Sequence, residues 1–190
     1  MKLLLASKSP RRRQLLAELG FAVECISLDV DEHIASPLPP AEVAEYLARR
    51  KAAAFPQEKI DDESVLVTAD TTVVLDGQVL GKPATRDEAV AMLQSLSGRA
   101  HTVYTGVCLR SRKDEVSFSE STAVHFRKLS QQDIDYYVDN YRPYDKAGAY
   151  GIQEWIGMVG IERIEGCYYN VMGLPVARLY ATLSSRFLSR

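Results

Sequence analysis

Two short segments concentrate the residues that could do chemistry. In Ala6-Ser7-Lys8-Ser9-Pro10-Arg11-Arg12-Arg13, four cations crowd one turn. Ser9-Pro10 reads as a helix start, an N-cap serine followed by proline at the first helical position. The N-terminus of a helix already favours anions through its free N–H groups and its dipole. Cations placed there oppose the dipole unless an anion sits between them, and phosphate is the obvious anion. The second segment, Val65-Leu66-Val67-Thr68-Ala69-Asp70-Thr71-Thr72-Val73-Val74-Leu75, is an apolar run broken at its centre by an acid. A lone carboxylate inside a sheet is expensive to bury. Asp70 is therefore expected at a strand end or facing a wet cleft, where it could bind metal or activate water.

Two weaker signals accompany them. Lys82-Pro83 follows a hairpin signal and could extend another cation to the same place. The loop Tyr144-Asp145-Lys146-Ala147-Gly148-Ala149-Tyr150-Gly151-Ile152-Gln153 is rich in glycine and in side chains that read bases. Each segment also has a plain structural reading: a solvated basic turn, a turn aspartate, an ordered loop. Other chemistries lose their support. His33, His101 and His125 are too dispersed for a zinc motif, and no G-x-S-x-G, P-loop or G-x-G-x-x-G occurs. What remains is carboxylates, Lys/Arg and hydroxyls, a set suited to phosphate chemistry with a hard cation such as Mg²⁺.

Alternating strand-like and helix-like segments must position these residues, which predicts an α/β or α+β domain. Leu3 to Ala6 reads as a short buried strand, and the helix after Ser9 carries Leu15, Leu16 and Leu19 and stops at Gly20. Residues 41–54 read as a helix with Val43, Leu47 and Ala54 inward and Lys51 near its end. Asp76-Gly77 is a hairpin signal between Val73–Leu75 and Val79-Leu80. Thr85 to Glu88 is a capping box for a helix reaching Leu96. Strands are expected at 101–110, 116–127 and 158–171, and helices after Ser130 and around Val176 to Phe187, with Tyr141 to Ile156 as a loop.

The chain has 190 residues, of which 46% are hydrophobic and 25% charged, as in an ordinary globular protein. Its net charge of −2 argues against a nucleic-acid polymer or a membrane surface as partner. No apolar run approaches the roughly 18–20 residues of a membrane span. Cys25, Cys108 and Cys167 are odd in number and scattered, which reads as buried thiols in a reducing, cytoplasmic compartment.

The segments LLLASKSPRRRQLL, TADTTVVLDGQVLGKP, LSGRAHTVYTGV, YDKAGAYGIQ and YYNVMGLP, in that order, span almost the whole chain. Together they closely resemble the Maf family of nucleoside triphosphate pyrophosphatases. The resemblance implies one domain over residues 1–190 with an α/β fold: a central mixed, strongly twisted sheet flanked by helices, in two lobes with a cleft, like the inosine triphosphatase group. It implies cleavage between the α and β phosphates, a divalent cation (Mg²⁺ or Mn²⁺), a small-molecule nucleotide as partner and a homodimer. Asp70 matches the family's catalytic acid, and Ser7, Arg11 and Arg12 match its phosphate-facing turn. Lys51 and Lys82 match further phosphate-facing lysines, and Glu32 with Asp70 would hold the metal. The DKAGAYGIQ loop is similar to that of the branch acting on dTTP and UTP. Arg11 or Arg12, Thr71 and Gln153 match the positions tied to that selectivity, while Trp155 just beyond them is less usual. Two rival readings stay open: a 7-methyl-GTP pyrophosphatase of the same family, and a non-enzymatic nucleotide-binding regulator of septum formation.

Overall fold

A computed structural model of the chain describes residues 1–34 and 36–188. Its elements are β1 (Lys2–Leu5), α1 (Pro10–Glu18), β2 (Ala22–Cys25), α2 (Pro40–Ala54), β3 (Ser64–Leu75), β4 (Gln78–Leu80) and α3 (Arg86–Leu96). There follow β5 (Ala100–Arg110), β6 (Glu115–Phe126), α4 (Gln131–Tyr141), α5 (Trp155–Gly160), β7 (Ile161–Glu165), α6 (Tyr168–Met172) and α7 (Val176–Arg186). Seven strands form a mixed sheet in the order β2-β1-β3-β5-β6-β7, with β4 paired to β3, and helices flank it. Strand β1 pairs in parallel with β2 and β3. That is why Leu3-Leu4-Leu5 is continuously apolar: a parallel strand is covered on both faces. The hairpin from β3 to β4 turns at Asp76 and Gly77, both at positive φ (51° and 76°), as a type I′ turn requires.

The chain divides into two compact units. The first comprises Met1–Asp70, Thr105–Glu120 and the chain from Gly173 onward; the second comprises Thr71–Tyr104 and Ser121–Met172. Each has its own core. In the first, Leu4, Leu66 and Cys108 pack with Ala48, Ala52, Phe55 and Ile60. In the second, Leu93, Leu96, Val103, Val124, Tyr137 and Ile156 are central. Among the described residues no helix is long and apolar enough to cross a membrane.

Several expectations need correction. Strand β3 is continuous through Asp70, so of the two places expected for it the strand end is excluded, and the carboxylate stands in mid-strand with 15% of its side chain exposed. Ser9 occupies the N-cap position of α1, but its side chain caps nothing. Ser7 Oγ instead accepts from the N–H of Ser9 at 3.2 Å and holds the turn. Ala54 is exposed: it shares the azimuth of Val43 and Leu47 but is the last residue of α2, past the buried stripe of Val43, Ala44, Leu47, Ala48 and Ala52. The long strand expected over 158–171 is only β7, between α5 and α6. Both the N–H and the carbonyl of Cys167 are tied to Thr122 Oγ1, which turns the chain out of the sheet and into α6. All three cysteines are free thiols, but Cys25 is exposed and only Cys108 is buried, where loss of water pushes its thiol up to about 12.

Candidate active site

Strand alternation builds the centre of the site. Leu66, Thr68 and Asp70 share one face of β3. Leu66 joins the first unit's core, and Thr68 Oγ1, fully buried, donates to the carbonyl of Ala48 in α2 at 2.7 Å. The small stripe of Ala44, Ala48 and Ala52 lets α2 approach the sheet closely. At Gly106 of β5 the approach is closest: a Cβ there would lie 2.2 Å from the N of Glu45 and 2.3 Å from the carbonyl of Ala44. One turn beyond Ala48 along α2 stands Lys51, whose Nζ donates to Asp70 Oδ1 at 2.6 Å and meets Glu32 Oε1 at 2.7 Å. The Lys51 and Asp70 side chains are only 16% and 15% exposed, against 53% for Glu32. The ammonium therefore supplies the charge compensation that a carboxylate in mid-strand requires.

The basic turn meets the same centre from α1. Arg12 is buried; its Nε donates to the carbonyl of Gly173 at 2.7 Å, and one terminal nitrogen to the carbonyl of Ala69 at 2.9 Å and to Ser7 Oγ at 3.3 Å. Burial pulls its pKa below the usual arginine value, the carboxylate of Asp70 pulls it back up, Arg11 opposes it, and Glu32 again supports it. Thus one of the four cations of the turn is committed to backbone carbonyls beside Asp70. Arg11, half-buried, and Ser7 remain at the helix entrance. The acidic stretch after β2 is neutralised cation by cation: Lys8 with Asp29 at 3.0 Å, Arg50 with Asp31 at 3.3 Å, and Lys51 with Glu32.

Ser7, Arg11, Arg12, Glu32, Lys51 and Asp70 thus belong to the first unit, while Thr71, Lys82 and Gln153 belong to the second. Lys82 is exposed, just after β4, and Thr71 is half-buried on β3. Gln153 is half-buried, and its Oε1 is buried with no hydrogen-bond partner among the described residues. Sequence reasoning missed the contributions of Thr68 and of the carbonyls of Ala69 and Gly173. Backbone acceptors leave no side-chain signature; the only trace was Gly173 in the M-G-L-P turn, held at φ 118°.

Among the described residues no group of three His, Cys, Asp or Glu side chains could hold a metal ion unaided. Glu32 and Asp70, both within reach of one ammonium, are hard oxygen donors. Such a pair fits an ion of the Mg²⁺ type, which keeps several waters and takes further oxygens from a substrate's phosphates.

Comparison with known proteins bears on the family and the fold. Three relatives named dTTP/UTP pyrophosphatase come from Porphyromonas gingivalis (51% identical, covering 96% of this chain and 92% of the relative), Parabacteroides distasonis (52%, 96% and 94%) and Flavobacterium psychrophilum (45%, 96% and 93%). The solved structure of the Staphylococcus aureus Ham1 protein aligns with a TM-score of 0.56 at 14% identity, covering 97% of this chain and 99% of that one. This likeness bears on the fold alone, and supports the inosine-triphosphatase-like one. A family model described as Maf-like protein matches residues 2–186, and the chain belongs to that family.

Proposed function

We propose that this protein hydrolyses dTTP and UTP to the monophosphate and pyrophosphate by attack of water on the α-phosphorus. The observation that carries the chemistry is the Asp70–Lys51–Glu32 array, an acid held in mid-strand by a cation. Its substrate is inferred from relatives of about half identity that bear the name dTTP/UTP pyrophosphatase. Asp70 accepts the proton of the attacking water. Arg11 and Ser7, at the entrance of α1, bind phosphate oxygens together with the free N–H groups of that helix. Arg12 fixes the strand carbonyl next to Asp70, and its charge favours the developing negative charge on the leaving pyrophosphate. Lys82 adds a phosphate contact. A divalent cation, held by Glu32 and Asp70, would neutralise phosphate oxygens when bound. Thr71 and Gln153 select the base. A Gln153 amide offers an acceptor to the N3–H of thymine or uracil and a donor to O4, whereas cytosine presents an acceptor at N3 and an amino donor at C4.

The test is pyrophosphate release from dTTP, UTP, CTP and 7-methyl-GTP with Mg²⁺ or Mn²⁺. Preference for dTTP and UTP, lost in Asp70→Asn, is expected. Preference for 7-methyl-GTP would overturn the base assignment, and tight nucleotide binding without turnover would overturn the enzyme reading in favour of a regulator.

A further inference from the structure

The second unit contains a buried polar network that the chemistry above does not use. Tyr137 of α4 is fully buried; its hydroxyl donates to Glu154 Oε2 and accepts from the N–H of Gly151 at 3.0 Å. Glu154 Oε1 pairs with Lys146 Nζ at 3.1 Å, and Lys146, 7% exposed, also reaches Asp145 Oδ1 at 2.8 Å. The N–H of Glu154 closes a turn on the carbonyl of Gly151 at 3.0 Å. Burial, and next the hydrogen bond to Glu154, raise the Tyr137 phenol far above its ordinary value, so it stays protonated. A buried ammonium and carboxylate are tolerated only in such a fully bonded arrangement. Gln153 lies within the turn that the network clamps at both ends. A Cβ on Gly151 would lie 2.9 Å from Gln153 Nε2, 3.0 Å from Glu154 Cδ and 3.1 Å from Lys146 Cε, so the amide and two members of the network border the same small space over Gly151.

We infer that Tyr137, Glu154 and Lys146 are positioning residues that fix the Gln153 amide and thereby set base selectivity. This inference rests on the proposed role of Gln153. The network holds one orientation of an acceptor that would otherwise sample several rotamers, so its loss should weaken the correct base more than the wrong one.

A double-mutant cycle on the ratio of kcat/KM for dTTP to that for CTP provides the test. Tyr137→Phe keeps the ring but removes the hydroxyl from both partners. It should raise KM for dTTP roughly tenfold, leave kcat within about twofold, and lower the dTTP/CTP ratio roughly tenfold. Gly151→Ala, which displaces the amide through flexible side-chain ends, should lower the same ratio without touching Tyr137. In the Gln153→Ala background, Tyr137→Phe should change the ratio no further. A Gln153→Ala protein that has lost discrimination while both Tyr137→Phe and Gly151→Ala keep it would overturn this inference alone. Unchanged discrimination in Gln153→Ala would overturn the base-reading role and the inference together. Should Tyr137→Phe fail to fold by thermal melting, Gly151→Ala alone decides between these outcomes.

Discussion

Asp70 and Lys51 depend on each other, and each substitution separates a different part of that dependence. Asp70→Asn keeps the shape and removes the proposed proton acceptor, so kcat should fall by roughly 10² or more while urea unfolding remains cooperative. Lys51→Met leaves a carboxylate that is only 15% exposed without its ammonium. It should cost about 1–3 kcal/mol in urea unfolding at neutral pH, less than a fully buried pair because some water reaches the group. Stability equal to the parent's would mean that Asp70 needs no counter-ion. Asp70 was legible in the sequence because an acid in the middle of an apolar run has few structural explanations. Its partner was not legible from spacing, since Lys51 lies 19 residues away on a helix. By residue type Arg12 is one of four like cations, and the resemblance makes it phosphate-facing; nothing in Arg11-Arg12-Arg13 shows that the middle side chain turns inward to the carbonyls of Ala69 and Gly173.

Helix α2 delivers Lys51, so the packing of α2 on the sheet decides the site's geometry. Gly106→Ala would drive a methyl into the backbone of Ala44 and Glu45, where no side chain can yield. It should destabilise by about 3 kcal/mol or more. It should also lower kcat/KM, because any shift of the helix moves Lys51; a variant as stable and active as the parent would contradict the tight docking of α2. Thr68→Val keeps the volume and removes the hydroxyl's bond to the Ala48 carbonyl, which retains its helical partner, an expected loss of about 0.5–1.5 kcal/mol. The helices over 41–54 and 86–96 and the Asp76-Gly77 hairpin were readable because periodicity, caps and turn chemistry are local. Gly106 was not, since a glycine required by a helix from another segment looks like any glycine in a strand. The stretch 158–171 misled for the same reason. Its β-branched and aromatic residues suit a strand, but Gly157 and Gly160 serve the close packing of α5, and Thr122 ends β7 early.

At the level of the whole molecule, the order of motifs carried the family and the sheet, while the division into two units built from interleaved segments followed from no local signal. Within the second unit, His101 links stability to pH. It is 3% exposed, stacks on Phe126, and bonds through Nε2 to the Tyr150 hydroxyl at 2.7 Å, with Nδ1 unpartnered among the described residues. Burial foremost, with His125 adding repulsion, lowers its pKa to about 4 from 6.5. The unfolded chain therefore binds the proton first: this contribution is complete above pH 6.5 and is lost as pH falls towards 4. Its size is roughly 3 kcal/mol at most. Urea midpoints measured between pH 4 and pH 7 should show this slope in the parent and a flatter one in His101→Gln.

In the proposed reaction, water held by Asp70 attacks the α-phosphorus of a pyrimidine nucleoside triphosphate. Hydrolysis of dTTP in ¹⁸O-labelled water, with the products separated and weighed by mass spectrometry, tests it most directly. One ¹⁸O in the thymidine monophosphate and none in the pyrophosphate, with both products lost in Asp70→Asn, is the predicted result. Label in the pyrophosphate, or an Asp70→Asn protein that turns over like the parent, would contradict it.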